Sequence, residues 1–587
     1  MCGVIGYIGK KSAKEIIFNG LSRLEYRGYD SCGVAFKNQD VIHVFKDAVR
    51  VDELEKTVNE TSYMGIGHNR WATHGIVSKE NSHPHFTNNN EYVIVHNGII
   101  ENYLEIKDKY FKDDLFFSQT DSEVVCKLLK YFGDQMDMLD AIKEVMRVVK
   151  GSYAILLMRK SENRIYFMRN HSPLLLGIGI DEMYLSSDLM ALNSTIKEYI
   201  PLNDLDYGYI DSENYFVNNL RADNYQITIL KNDFNYSGID KGVFPHYMLK
   251  EIFEQPAVIK RIIDYYKMDD AISFNIIDEL NRADELYIIA CGTSYYAGHV
   301  GMDAFERIGK KRCHVYVASE FTYNMPIIAH NAFFILISQS GETADLKMAL
   351  EKIKAINGRS LILTNVLTST LAKMSTYKLP ILAGPEIAVA STKAYVAQIC
   401  VLAILANKIA LEKKDIFTDL YILANAISSA LEKKELIEKL TLETFNKRNA
   451  FYIGRGLDYY VSLEAALKLK EISYVQTEGF SSGELKHGTI ALIEQDTPVA
   501  AIISNKETCS LVRSNINEVV SRGAKTLVIC TRSVSNNTDH IILEDVPLYL
   551  SPALLVVPTQ LIAYFKAKSL GLDIDKPRNL AKSVTVE

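Results

Sequence analysis

The chain has one tryptophan, only 13 prolines in 587 residues, and eight cysteines that never form a CxxC pair. The missing pairs exclude a zinc ribbon and a thioredoxin-like motif. Scattered thiols in a large chain suit a reducing compartment, so a cytoplasmic location is expected. Few prolines, with 48% hydrophobic and 23% charged residues, argue against long disorder. Positive charge is not in surplus. A net charge of -7 and a pI of 6.1 count against nucleic acid or an anionic membrane as partner, while leaving room for a local anion pocket. No basic segment precedes the short apolar run in MCGVIGYIG, so no signal peptide is expected. Long apolar runs are also lacking. The most membrane-like stretch, LYLSPALLVVPTQLIAYF, is broken by Ser551, Pro552, Pro558, Thr559 and Gln560, and reads as core strand and helix.

A chain of this length suggests about three domains. The first part alternates in the manner of sheets: CGVIGYIG, CGVAF, YVIVHNGII, SYAILLM, RIYFMR and YGYID. Helical patterns such as KSAKEIIFNGLSRLEY and DSEVVCKLLKYF lie between them. An α+β domain of packed antiparallel sheets over residues 1–231 fits, followed by a linker at 232–246. Beyond it, ADELYIIACGTSYYAG reads as strand, glycine turn and helix, and NAFFILISQSGETADLKMAL repeats that plan. The order then recurs in NAFYIGRGLDYYVSLEAALKLKE, DTPVAAIISNKETCSLVRSNI and AKTLVICTR. This predicts a duplicated α/β unit with parallel sheets, over 247–440 (with bridging helices) and 441–575, before a tail at 576–587.

The candidate chemistry begins at Cys2. With Met1 removed, a thiol and a free α-amine share one residue, and an amine of pKa near ~8 is able to take the thiol proton. GHNRWATHG offers Arg70 as a fork for a carboxylate. VIVHNGIIEN ends a strand at Asn97-Gly98, where an amide and a backbone N–H suit an oxyanion. QTDSE sets Asp121 at a helix N-terminus. Singly, each has a plainer reading: a surface ion pair for Arg70, a hairpin turn for Asn97-Gly98, an N-cap for Asp121. The HPH at His83–His85 has no carboxylate or cysteine cluster beside it, so no metal site is expected.

CGTS at 291–294 and SQSGET at 338–343 are hydroxyl- and glycine-rich loops between strand and helix, able to hold a phosphate without lysine. The second copy has SNKETC instead, so one sugar phosphate per chain is expected. In SLEAALKLKEISYV, Glu464, Lys468 and Glu471 fall at i, i+4, i+7 on one stripe, within the apolar arc of the wheel. Buried charge is costly unless paired or used. The polar arc is expected at Ser462, Lys470 and Ser473. GELKHG places His487 between glycines, and Lys582 sits in a tail without hydrophobic periodicity.

CGVIGYIG, LEYRGYDSCGVAF, GHNRWATHG and HNGIIEN together resemble the glutaminase domain of the N-terminal-nucleophile amidotransferases. CGTS, ISQSGET, EIAVASTKAY, EAALKLKEIS, GELKHG and PRNLAKSVTVE resemble the sugar isomerase region of the isomerizing glutamine–fructose-6-phosphate aminotransferases, so the likeness covers nearly the whole chain. Two departures, Asn69 for threonine and Cys32 for alanine or serine, fall where no role is assigned.

The resemblance implies that Cys2 attacks glutamine, Asn97 and Gly98 form the oxyanion hole, and Arg70, Trp71, Thr73, His74 and Asp121 bind glutamine. It assigns Thr293, Ser294, Ser338, Gln339, Ser340, Thr343, Val389, Ser391, Glu464 and Lys468 to fructose 6-phosphate. Lys582 would form a Schiff base at C2 and Glu471 would move a proton between C1 and C2. His487 would assist ring opening from across a homodimer interface. Ammonia would pass through an internal channel with Trp71 as its gate, and no cofactor is required. The long insertions of regulated forms are absent, so strong nucleotide-sugar feedback is not expected. Two alternatives stay open: a related enzyme acting on another sugar phosphate or deaminating an amino sugar, and a non-catalytic sugar-phosphate sensor. The intact Cys2 segment counts against deamination, and the presence of Glu471, His487 and Lys582 counts against a sensor.

Overall fold

The computed structural model describes residues 2–72, 74–222, 224–232 and 240–584, which leaves Thr73 and residues 233–239 of the expected linker outside the described residues. The chain divides into two compact units, the first comprising Met1–Gly238 with Ser583–Glu587 and the second Ile239–Lys582.

In the first unit the described strands form an eight-stranded and a six-stranded sheet, with antiparallel pairing throughout the central strands. Period-two alternation sorts side chains between layers. In the strand Tyr92–Ile100, Val93 and Val95 face a core shared with Val4, Ile66 and Leu185. Tyr92 and Ile94 face the opposite way, under the helices Ser122–Gly133 and Met138–Val148. The helix Ala13–Leu24 covers the eight-stranded sheet. Gly65 and Gly67 permit its close approach: a Cβ there would sit 2.8 and 2.6 Å from Ile17. The outcome is two sheets stacked between helices.

The second unit holds two five-stranded parallel sheets with one strand order: second, first, third, fourth, fifth. The first copy uses Glu285–Ala290, Arg312–Val317, Ala332–Ile337, Arg359–Thr364 and Tyr377–Pro380. The second uses Asn449–Gly454, Gln476–Ser481, Pro498–Ile503, Lys525–Thr531 and Ile541–Leu543. The duplication expected from sequence is thus present strand for strand. In such a sheet the strand order reverses between the first and third strands, and ligands settle beyond their C-terminal ends. CGTS and SQSGET follow those two strands of the first copy.

Two expectations change. The segment expected as strand and helix contains no strand: after a single tight turn at Leu548–Leu550 it is one helix, Ser551–Ser569. Pro552 starts it, where no N–H is needed. Pro558 lies inside a core that leaves the helix no alternative course. Leu548–Ser569 is long and apolar enough to cross a membrane, yet 89% of its most apolar 18-residue window is buried within the protein. The polar arc expected on the helix Leu457–Ser473 is not a solvent face either, since only Lys470 is exposed there. Ser462 and Ser473 are buried and donate to the carbonyls of Asp458 and Leu469, four residues back.

Candidate functional site

The Cys2 end of the first unit is built by strand pairing. Cys2 precedes Gly3–Gly9, whose neighbour Met64–Arg70 carries Arg70 and leads into Trp71. The Trp71 N–H donates to Cys2 Sγ at 3.2 Å, and the thiol reaches the Trp71 carbonyl at 3.5 Å. Burial raises the thiol pKa, against the pull of the Trp71 N–H and the Arg70 guanidinium. Asn97 Nδ2 donates to the Cys2 carbonyl at 3.0 Å, so the amide holds the backbone of Cys2 itself.

The strand does not end at Asn97-Gly98, and no hairpin turn lies there: it continues to Ile100, paired with Gly151–Arg159. Glycine is needed at 98 because φ is +132° and a Cβ would lie 2.0 Å from the Ser152 carbonyl oxygen. The plain reading of Arg70 also fails. It is 3% exposed, has no carboxylate partner among the described residues, and donates to the carbonyls of His74, Gly75 and Ile76. Asp30 and Asp121 are close enough to act on its charge but neither pairs with it directly, and a buried guanidinium with no bonded carboxylate suits a carboxylate ligand. Asp121 sits at the N-cap position of Ser122–Gly133 but does not cap it. Its carboxylate accepts the Ile100 N–H at 2.7 Å. Trp71 packs edge-on against Tyr29, and His74 against Tyr103.

Behind this end, His68, His83, His85 and His96 are buried together. His83 stacks on His68 with ring centroids 4.0 Å apart and meets His85 at 4.5 Å. Desolvation holds all four below the ordinary histidine range, hence neutral. His96 Nδ1 bonds Ser122 Oγ and His85 Nε2 bonds Thr120 Oγ1. HPH is therefore part of a neutral aromatic packing layer.

In the second unit, SQSGET folds onto itself. Ser338 Oγ meets Thr343 Oγ1 at 2.9 Å and accepts the Gly341 N–H, while Ser340 Oγ accepts the Glu342 N–H. Gln339 accepts from Asn365 through its carbonyl. Thr343 occupies the N-cap position of Ala344–Ala355 without a side-chain cap bond. In CGTS, Gly292 has φ +53° and open space beside its Cα. Ser294 Oγ accepts from Gln398 at 3.0 Å.

The charged stripe of Leu457–Ser473 is buried as expected. Glu464 and Lys468 have no exposure, and the Glu471 side chain keeps 20%. Lys468 Nζ contacts Glu471 at 2.7 Å, Thr293 Oγ1 at 2.9 Å and Glu464 at 3.5 Å. Thr293 also donates to Glu464, so the stripe of the second copy engages the CGTS loop of the first. Burial pushes the Glu464 carboxyl up to about 8. Burial alone would lower Lys468, but the two carboxylates raise it to about 12.

The tail is anchored. The Arg578 N–H donates to Tyr474 Oη, and Lys582 is 3% exposed with Nζ 2.5 Å from Glu386 Oε2. Glu386 also accepts from Ser391 Oγ at 3.0 Å, and Val389 donates its N–H to the Asp575 carbonyl. His487 stands apart: it is exposed on the turn Glu484–His487, and its ring has no hydrogen-bond or ion-pair partner among the described residues. Sequence reasoning missed three carboxylates. Asp30 accepts the Ala72 N–H beside Cys2 and Arg70, Glu386 holds Lys582, and Glu251 lies beside Glu386. Asp30 and Glu386 stand in motifs quoted above, Glu251 does not, and each gains its partner only through long-range packing.

These features define a class: an amidotransferase with an N-terminal cysteine, joined to a pair of phosphosugar-type α/β domains. Residues 68–194 match the glutamine amidotransferase domain family, and residues 279–408 and 444–564 match the SIS domain family. A glutamine–fructose-6-phosphate aminotransferase (isomerizing) from Geobacillus kaustophilus is 47% identical over 600 residues, covering 100% of both chains. The protein of the same name from Bacillus subtilis is 46% identical over 602 residues, again covering 100% of both. Among solved structures, the C-terminal domain of glucosamine-fructose-6-phosphate aminotransferase from Francisella tularensis is 35% identical, with a TM-score of 0.55, covering 58% of this chain and 99% of that one. The chain belongs to the glutamine–fructose-6-phosphate aminotransferase (isomerizing) family.

Proposed function

We propose that the chain converts fructose 6-phosphate and glutamine into glucosamine 6-phosphate and glutamate, the entry step of amino-sugar synthesis, in the cytoplasm. The observation that carries this reading is the pairing of two reactive groups at opposite ends of the chain. Cys2 is set beside a buried guanidinium that no carboxylate bonds directly, and Lys582 is drawn into a buried carboxylate. After loss of Met1, the α-amine of Cys2 takes the thiol proton and the thiolate attacks the glutamine amide. Arg70 takes the substrate carboxylate and Asp121 its amine, with Trp71, Thr73 and His74 framing them. Asn97 and the Gly98 N–H stabilise the oxyanion. Ammonia passes internally, with Trp71 as gate.

In the sugar site, Thr293, Ser294, Ser338, Gln339, Ser340 and Thr343 bind phosphate and hydroxyls at the strand reversal, and Val389 and Ser391 line the ring. Lys582 forms the Schiff base, Glu471 shuttles the proton between C1 and C2, and Lys468 with Glu464 fixes Glu471. His487, exposed and with a ring that has no partner among the described residues, serves the site of a second copy in a homodimer. The layout is a glutaminase domain at 1–231, a linker at 232–246, SIS domains at 247–440 and 441–575, and a catalytic tail at 576–587, a division supported by the change of unit after Gly238.

The test is to supply both substrates and measure glucosamine 6-phosphate and glutamate. Lys582→Ala is expected to abolish synthesis and leave glutamine hydrolysis. Glutamate without amino sugar from the unaltered protein would sink the reading. Intact mass reports the state of Met1, and a form retaining it is expected not to hydrolyse glutamine.

A further inference from the structure

The second unit buries more charge than the proposed chemistry uses. Glu386 is fully buried, and both of its oxygens are engaged. Oε2 takes Lys582 Nζ and Ser391 Oγ, and Oε1 takes the N–H groups of Thr392 and Ala394 at 2.9 and 3.1 Å. A second carboxyl, Glu251 on the helix Tyr247–Phe253, comes from the other side. Its Oε1 accepts the N–H groups of Ile387 and Ala388, while its buried Oε2 has no hydrogen-bond partner. Lys393 is close by but already paired with Glu254 at 2.6 Å, and Lys468 lies farther off with Glu471 and Glu464. Glu386 is thus the carboxylate bonded directly to Lys582, in a setting with almost no access to water.

That creates a chemical requirement. An ammonium pressed against a carboxylate has no lone pair with which to attack a carbonyl. A lysine whose side chain is 3% exposed cannot pass its proton readily to solvent. We propose that Glu386 positions Lys582 and is the base that accepts its ammonium proton, returning it when water leaves. The proposal rests on the reading of Lys582 as the Schiff-base residue.

The step balances without a further reagent. Lys582 Nζ gives one proton to Glu386 Oε2. The neutral amine adds its lone pair to C2, the C=O π bond breaks, and a proton moves from nitrogen to oxygen to give the carbinolamine. Glu386 then protonates the departing hydroxyl, the C–O bond breaks, water leaves, and a protonated C=N bond forms. The electrostatics agree. Burial would raise the Glu386 carboxyl, but the Lys582 charge and the backbone donors hold it down at about 2, so it rests ionised. Burial and the nearby Glu386 charge push Glu251 up to about 8, so it rests neutral and leaves Lys582 one counter-charge. When Lys582 loses its charge on proton transfer, the main influence holding Glu386 down disappears, and its affinity for the proton rises.

Glu386 also receives backbone bonds at the start of the helix Lys393–Lys408, so activity alone would not separate base from scaffold. The experiment uses the full chain with fructose 6-phosphate and borohydride, and follows the rate and position of the reduced adduct by mass spectrometry from pH 6 to 10. The unaltered protein is expected to be labelled at Lys582. Labelling elsewhere, or none, would overturn the Schiff-base reading itself. Glu386→Gln keeps the shape and loses the base. It is expected to trap at least ~100-fold more slowly at pH 7 and to recover as rising hydroxide replaces the missing carboxylate as proton acceptor, with glutamine hydrolysis unchanged. Trapping at the unaltered rate, or a slow rate that is flat in pH, would leave Glu386 a scaffold residue only. Glu386→Asp retains a carboxylate with shorter reach and is expected to fall between the two at pH 7. An Asp variant no faster than the Gln variant would also overturn the proposal.

Discussion

The two parallel-sheet copies of the second unit share a backbone plan and differ in what they put at its reactive end. Gly292 and Gly456 lie two residues beyond the first strand of each copy, with φ of +53° and +58° and open space beside the Cα of both. Ser294 and Asp458 lie four residues beyond, and each is followed by a tyrosine pair. Beyond the third strands, Ser338 and Ser504 correspond. In the first copy Ser338 Oγ bonds Thr343 within its own loop. In the second, the Ser504 N–H and hydroxyl both donate to Asp458, at 2.8 and 2.5 Å, and Ser504 also meets Ser551. The donors that would meet a phosphate in the second copy already bond a carboxylate of the chain itself. Loss of the serine-glycine pattern from SNKETC is therefore one half of the difference, and Asp458 in place of a serine is the other.

Moving the carboxylate is expected to move the closure. Ser294→Asp places a negative charge beside Gln398, at the strand reversal of the open copy. A like charge facing an incoming phosphate costs several kcal/mol, so synthesis is expected to fall ~100-fold or more, chiefly through a raised fructose 6-phosphate KM. Glutamine hydrolysis, carried by the other unit, is expected to be unchanged. Steady-state assays of both half-reactions check this, and an unchanged KM would break the comparison.

The copies are also complementary, because the charged stripe lies on the second and Thr293 on the first. Lys468→Met removes the cation on which Glu464 and Glu471 converge, and leaves buried carboxyls uncompensated. Breaking such a buried cluster costs about 3–5 kcal/mol. The second unit is expected to melt several degrees lower, with the melt of the first unit unchanged. A matching shift of both transitions would show that the stripe is not confined in its effect to the second unit.

How much of this is visible in the chain follows from the range of each interaction. The strand–turn–helix rhythm, the duplication and the buried stripe are periodic patterns within short windows, and they appear in the structure as read. The continuation of the strand through Asn97-Gly98 is not of this kind. Asn-Gly ordinarily signals a turn, and only the close approach of Ser152 makes it a place where a strand needs glycine. Glu386 and Lys582 lie almost two hundred positions apart, and Asp458 and Ser504 almost fifty, so local pattern gives neither partner. The all-helical Ser551–Ser569 escaped for the opposite reason. Its prolines signal a break locally, while burial on every side holds the helix through Pro558.

The smallest expected effect concerns the charge on Asp458 itself. Burial pushes its carboxyl up to about 7, against the pull of the Ser504 hydroxyl and N–H. A carboxyl raised from 3.8 binds its proton more tightly in the folded chain. Its contribution to stability is therefore full below pH ~4 and is lost as pH rises through about 7. The shift corresponds to at most about 4 kcal/mol, and hydrogen bonds to the ionised form reduce what is realised. The melting temperature of the second unit is expected to fall between pH 5 and 8, and Asp458→Asn, which cannot ionise, is expected to flatten that slope. Glu464 and Glu251, raised to about 8 by the same cause, act in the same direction at slightly higher pH and set the slope that persists in the variant. The first unit carries the opposite sign. Its neutral buried histidines stabilise it above the unfolded histidine value near ~6.5 and lose that contribution as pH falls. Calorimetric melts at stepped pH separate the two, and equal slopes for the unaltered protein and Asp458→Asn would mean that the carboxylate closing the second copy is ionised throughout.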